Sequence, residues 1–302
     1  MEMGRECVVC ILNQMLRVAD HLELDEKDAD ALFAAALSES AQMSFRGQTS
    51  PQYAERIYNR IAQLTGHSDP YKSLKREQNN WVLTQSQRIE EMIAASSDPL
   101  RLCAELSLLG NIIDYGGVTL FDPSSILADA GSLALAVDDY STLIRRLGQA
   151  HTLLMIGDNA GEAVFDRFWL REIGRANPSM RLVYAVRKEP AINDMTMDDA
   201  LEIGMQDVAE LIDSGSSFAG TIPELASQPF QGIFAEADLV ISKGQGNYET
   251  LENTWREVFF VFKVKCPVVA RYAALPLGSL VIGSGESLRL RRQFVNPGQA
   301  GV

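Results

Sequence analysis

The segment Gly157-Asp158-Asn159-Ala160-Gly161-Glu162 sets a carboxylate, a side-chain amide and a permissive backbone next to one another. It follows an apolar run, Thr152 to Ile156, and precedes an amphipathic stretch, Glu162 to Ile173. A strand that ends in such a loop and runs into a helix gathers ligand-binding groups at its carboxyl end, with helix N–H donors on hand for an anion. The same residues also make a sound tight turn and cap, so the loop alone supports either role. A second acid, Asp194 in Asn193-Asp194-Met195-Thr196, lies beyond the next apolar run, Leu182 to Val186. Two successive βα units would place the loops side by side. Asp158, Asn159 and Asp194 would then share one divalent ion, its other positions going to water and substrate oxygens. The plainer alternative is Asp194 as the cap of a helix over Met197 to Ile203.

A third segment, Ser242-Lys243-Gly244-Gln245-Gly246-Asn247-Tyr248-Glu249, follows the run Leu239 to Ile241. It lacks the order of a Walker loop, G-x-x-x-x-G-K-[ST]. It does put a lysine point charge at a strand end, followed by glycines whose amides can approach a phosphate. Lys265, at the end of the run Val258 to Val264, is a second cation at the same edge, or an ordinary strand-terminal lysine. Gly110-Asn111-Ile112-Ile113-Asp114 sets Asn111 and Asp114 about one helical turn apart. Polar groups on an apolar helix need partners, so this face points to the site or to a structural hydrogen bond. Cys7-Val8-Val9-Cys10 has thiolate-ligand or redox spacing, without a second such pair and without the βαβ context of a thioredoxin motif.

Composition narrows the choices. Four cysteines (Cys7, Cys10, Cys103, Cys266) are too few for a disulfide scaffold in 302 residues. Three histidines (His21, His67, His151) stand far apart, so a metal would rely on oxygen ligands, which favours ions such as Mg²⁺ or Mn²⁺. The formal charge of −13 argues against a nucleic-acid partner and against an anionic membrane surface. No run approaches a membrane span, and Met1 to Cys10 shows no signal pattern. The expectation is a cytoplasmic protein. A dehydrogenase would need G-x-G-x-x-G after a strand, and a carboxyl methyltransferase a G-x-G loop after the first strand, where Gly157-Asp-Asn-Ala-Gly161 stands.

The elements that must position these residues fall into two regions. With 46% apolar and 22% charged residues, the chain can build a packed core. Residues 1–148 read as a helical domain, with helical spacing over Cys10–Arg17, Ala29–Leu37, Tyr53–Leu64, Trp81–Ile93 and Leu100–Ile113. Asp28 and Asp98 are candidate caps, and Pro99 suits a first turn. Gly116-Gly117 and Asp122-Pro123 punctuate the region, and a last helix is expected over Asp138–Gln149. Residues 149–302 read as α/β, with apolar runs alternating with helical patterns, as in a parallel sheet covered on both faces. Arg292 to Val302 reads as a frayed tail.

Seven segments in this order resemble the metal-dependent damage-control phosphatases, the family also called domain of unknown function 89, in its cysteine-bearing prokaryotic branch. They are Cys7-x-x-Cys10, Asp69-Pro-Tyr, Gly110-Asn-Ile-Ile-Asp114, Gly157-Asp-Asn-Ala-Gly-Glu162, Asn193-Asp-x-Thr196, Lys243-Gly-x-Gly-Asn247 and Lys265-Cys266. The resemblance implies a Rossmann-like, mostly parallel sheet sandwiched by helices, with an N-terminal all-helical domain. It implies hydrolysis of small phosphate esters, sugar phosphates or damaged phosphometabolites, with one divalent ion (Mn²⁺, Co²⁺, Ni²⁺ or Mg²⁺). By motif it puts the metal on Asp158, Asn159 and Asp194, and phosphate binding on Lys243 and Lys265 with Asn247 nearby. Asn111 joins the substrate side, and Asp158, Asp194 and Lys243 form the catalytic set. Attack by water and attack by Asp158 with an aspartyl phosphate both remain open. A non-catalytic metabolite- or nucleotide-binding module in the same crevice is the rival function.

Overall fold

The computed structural model describes residues 1–44, 46–111 and 127–295. Asp114, Gly116-Gly117, Asp122-Pro123 and the tail from residue 296 lie outside them. Six helices come first: α1 (Arg5–His21), α2 (Glu26–Ala41), α3 (Ser50–Thr65), α4 (Lys72–Thr84), α5 (Ser86–Ala95) and α6 (Pro99–Gly110). Asp98 caps α6 by accepting from the Arg101 amide at 2.9 Å, with Pro99 in the first turn as expected. The cap of α2 is Asp25, which accepts from the Asp28 amide at 2.8 Å, so the helix starts ahead of the expected cap at Asp28. The single run Trp81–Ile93 is divided at Gln85 between α4 and α5.

The α/β part contains β1 (Val137–Asp138), α7 (Tyr140–Leu147), β2 (Thr152–Ile156), α8 (Glu162–Ala176), β3 (Arg181–Val186), α9 (Met197–Glu202) and β4 (Glu210–Asp213). It continues with α10 (Gln228–Glu236), β5 (Leu239–Lys243), α11 (Gln245–Leu251), β6 (Phe259–Lys263), α12 (Pro267–Ala273), β7 (Leu280–Ser284) and α13 (Gly285–Val295). The strands form one sheet in the order β1-β7-β6-β5-β2-β3-β4. All neighbours run parallel except β6 and β7, which are antiparallel. The expected mostly parallel sheet between helices is therefore the fold observed.

The strand order reverses at β2 and β5: the chain winds outward through β3 and β4, then returns to build β5, β6 and β7 on the other side. Open sheets bind ligands at the carboxyl ends of strands flanking such a reversal. Strand alternation then divides the core. Leu153, Met155, Tyr184, Ile241 and Val261 face one layer with α5, α6 and α8. Leu154, Ile156, Val183, Val240 and Phe260 face the other, with α10, α11 and α12. A third cluster joins α1, α2 and α3, and Ile192 and Val268 pack against it. Ile192 follows β3 and Val268 follows β6, so the N-terminal helices lie over the carboxyl edge of the sheet. The expected boundary at residues 148 and 149 falls between α7 and β2. Residues of α4, α5 and α6, on its N-terminal side, share a buried core with the sheet.

Candidate functional site

Two backbone features draw the β2 and β3 loops together. Asn159 and Asp194 form an antiparallel bridge. The Met195 amide donates to the Asp158 carbonyl and the Ala160 amide to the Asn193 carbonyl, each at 2.8 Å. The helix that follows starts from Thr196, which forms a capping box with Asp199, so the Asp194 side chain is not spent as a cap. Its Oδ2 instead accepts from Arg187 Nε at 2.7 Å. Arg187 is 1% exposed; its Nη1 donates to Thr221 Oγ1 at 2.8 Å, and its Nη2 lies 3.7 Å from Asp158 Oδ1 without a hydrogen bond.

Asp158 Oδ2 accepts from Asn111 Nδ2 at 3.1 Å and from Asn159 Nδ2 at 2.7 Å. Asn111 Nδ2 also donates to Glu162 Oε2 at 2.6 Å. Burial pushes the Asp158 carboxyl well above the usual range, with the charges of Asp194 and Glu162 adding to it and Lys265 and Arg187 opposing. Burial likewise raises Asp194, against the pull of Arg187 and Lys265. Two buried acids that repel each other suit a hard divalent cation between them, which would stabilise both charged forms. Among the described residues no cluster of three or more His, Cys, Asp or Glu is set to hold a metal, so the third protein oxygen would be the Asn159 amide. Asn193 Nδ2, beside Asp194 on the cavity wall, is a buried donor without a partner among the described residues, and such a donor suits an anionic oxygen.

These groups open onto a cavity of about 790 Å³ between the sheet edge and the N-terminal helices. Asn111, Asp158, Asn159, Asp194 and Lys265 all line it. Lys243 and Asn247 do not, and here the structure differs from the expectation that they contact phosphate. Lys243 closes β5, and its side chain is wholly buried. Its ammonium donates to Glu162, to Asp166 Oδ1 at 2.9 Å and to the Ser107 carbonyl at 3.3 Å, which uses all three of its protons. Burial works against its charge, but Asp166 and Glu162 outweigh it and raise the pKa above that of free lysine. Asn247 is also fully buried, donating to the Gly157 and Lys243 carbonyls and accepting from Thr221 Oγ1. It holds the β2 and β5 loops together from behind.

Sequence reasoning passed over Arg187, Asp166 and Lys263. Lys263 ends β6 and lines the cavity with Lys265. Its proximity to Lys265 was the available signal. The Asp69-Pro-Tyr segment has a structural partner: Lys75, fully buried, lies 2.7 Å from Asp69 and 2.5 Å from Asp199, tying α4 to the start of α9. Cys7, Cys10 and Cys266 line the same cavity and form no disulfide among the described residues.

Gly244 shows how closely the β5 loop approaches β2. Its φ of 79° and ψ of 161° lie in a region reserved for glycine. A Cβ built there would sit 1.8 Å from Asp158 Oδ2. Gly244→Ala should displace the Asp158 carboxylate and lower activity at least about 100-fold, the usual effect of a 1 Å misplacement. Rates beside a thermal unfolding curve check this. Near-normal turnover by a folded variant would show that the Asp158 position is unimportant.

A profile of the damage-control phosphatase ARMT1-like domain matches residues 3–281. The chain therefore belongs to this family, and its function is of the phosphatase type. It is 30% identical over 296 residues to damage-control phosphatase PH1575 of Pyrococcus horikoshii, covering 93% of this chain and 97% of that protein. It is 28% identical to a damage-control phosphatase of Archaeoglobus fulgidus (93% and 98% covered). The crystal structure of the P. horikoshii protein, a DUF89 family member, superposes with a TM-score of 0.83 at 27% identity, covering 93% of this chain and 98% of that one. Among the described residues no helix is long and apolar enough to cross a membrane.

Proposed function

We propose that the protein is a divalent-metal-dependent phosphomonoesterase acting on small phosphorylated metabolites. The observation that carries this reading is the convergence of Asp158, Asn159 and Asp194 on one wall of a cavity that Lys263 and Lys265 also line. Asp158, Asn159 and Asp194 would hold the ion. A bound Mn²⁺, Co²⁺, Ni²⁺ or Mg²⁺ supplies Lewis-acid polarisation of a phosphoryl oxygen and makes water more acidic. Lys265 and Lys263 face the charge that spreads over the equatorial oxygens during transfer. Asn111 holds the Asp158 carboxylate through Nδ2, and Arg187 fixes the rotamer of Asp194. Lys243 acts from behind the wall: it holds Glu162, which accepts the same Asn111 amide that serves Asp158.

The test is release of inorganic phosphate from p-nitrophenyl phosphate and fructose 1-phosphate. Chelator-treated protein should be inactive and regain activity with one or more of the four ions. Hydrolysis that survives chelation would remove the metal from the reading. No release with any ion, alongside retained metabolite binding, would favour the non-catalytic binding module.

A further inference from the structure

The metal- and lysine-bearing wall occupies only part of the cavity. At about 790 Å³ the space is that of a whole small-molecule site rather than a phosphate pocket. Another part of its lining is one stripe of α1: Cys7, Cys10, Ile11, Gln14 and Arg17 lie on one face of the helix and all line it. From Cys7 to Arg17 the stripe runs ten residues, about 15 Å along the helix at 1.5 Å each. The Cys7 end adjoins Cys266 and Glu249, close enough for their charges to raise the Cys7 thiol further after burial. The Arg17 end reaches a different neighbourhood.

That neighbourhood is polar and built. Tyr58 donates its hydroxyl to Gln14 Oε1 at 2.8 Å. Tyr71, also on the cavity wall, packs edge-on against His21 at 5.1 Å. Arg17 is close enough to Tyr58 for its charge to oppose the rise that burial imposes on the phenol. Arg101, Arg171 and Arg271 are each paired with a carboxylate at 2.5–2.8 Å. Among the described residues no Asp or Glu makes such a pair with Arg17. The two other acids on the cavity wall do not offset it. Glu6 is bound to Arg271. Glu249 is pushed up to about 7 by burial, so much of it is neutral at physiological pH. A guanidinium without a carboxylate, at the end of an otherwise furnished cavity, suits a planar or tetrahedral anion.

We propose that Arg17, with Gln14 beside it, recognises a second anionic group on the substrate, so that the preferred esters carry a carboxylate or a second phosphate away from the phosphate that is cleaved. This deepens the phosphatase reading and rests on it. A neutral sugar phosphate of the same size would reach the metal end but leave Arg17 facing water.

The experiment pairs esters that differ in that second group. Glycerol 3-phosphate is set against 3-phosphoglycerate, and fructose 1-phosphate against fructose 1,6-bisphosphate. The wild-type protein should favour the more anionic member of at least one pair by about tenfold or more in kcat/KM, the usual worth of one charged hydrogen-bonded contact. Preference in the first pair alone assigns the site to a carboxylate, and in the second alone to a phosphate. R17Q should bring the ratio toward one, and R17K should restore part of it. A ratio near one in the wild type, or a ratio unchanged in R17Q, overturns the proposal. Calorimetric binding of 3-phosphoglycerate and the bisphosphate to both proteins gives a readout independent of turnover. If the wild type hydrolyses nothing, the phosphatase reading fails. Binding of either anion that R17Q weakens tenfold would still uphold the Arg17 site, and binding equal in both proteins would refute it.

Discussion

Replacing Asp194 by asparagine should lower metal-dependent phosphate release about 100- to 1,000-fold, and replacing Asp158 should do the same. Asparagine is the informative change. It keeps an oxygen to accept from Arg187 Nε, now at 2.7 Å from Asp194 Oδ2, and removes only the charge. Alanine would also strip a buried guanidinium of its nearest partner, so lost activity and lost fold would be mixed. The loops should survive the asparagine change, because backbone bonds from Met195 and Ala160 hold them together rather than side chains. The measurement is phosphate release across a metal titration, with thermal unfolding of the same samples. A folded Asp194→Asn variant with the wild-type rate and metal dependence would take Asp194 out of the ligand set.

What could be read from the sequence was what local pattern encodes. The bounds of β2 and β3 matched the apolar runs almost residue for residue, because a strand buried on both faces is written as an uninterrupted apolar run. Asp158, Asn159 and Asp194 stood just past strand ends, and topology then made them neighbours. Strands β1, β4 and β7 escaped notice: β1 has two residues, and β4 at the sheet edge carries Glu210 and Asp213. The role of Lys243 was hidden for a different reason. Its partners Glu162 and Asp166 lie one turn apart on α8, 81 and 77 residues away in the chain. Only the adjacency of β2 and β5 brings them within reach. In sequence the same glutamate and aspartate look like acids favouring a helix start. Arg187 was lost similarly, since an arginine past a strand end reads as solvated until the fold buries it.

Lys243→Met should then behave as a stability variant first and an activity variant second. Both carboxylates it serves are wholly buried, and removing the cation leaves two like charges with neutral donors such as Asn111, Ser107 and Tyr184 beside them. Breaking a buried ion pair from one side costs about 3–5 kcal/mol. A lower urea midpoint should therefore accompany any loss of rate. A lysine whose main work was on a phosphate in the cavity would give the opposite pattern, a large fall in rate at nearly unchanged stability. The two roles separate further in a combined variant. Glu162→Gln and Asp166→Asn together with Lys243→Met remove all three charges while keeping side chains of similar size. If charge balance is the main contribution of Lys243, the triple variant should recover much of the stability that the single change removes. The Asn111 amide could still donate to the carboxamide oxygen that Glu162→Gln leaves in place, so Asp158 should stay near its present position and some metal-dependent turnover should return with the fold. Recovery of stability without any turnover would instead show that at least one of the three charges takes part in the reaction beyond balancing the other two.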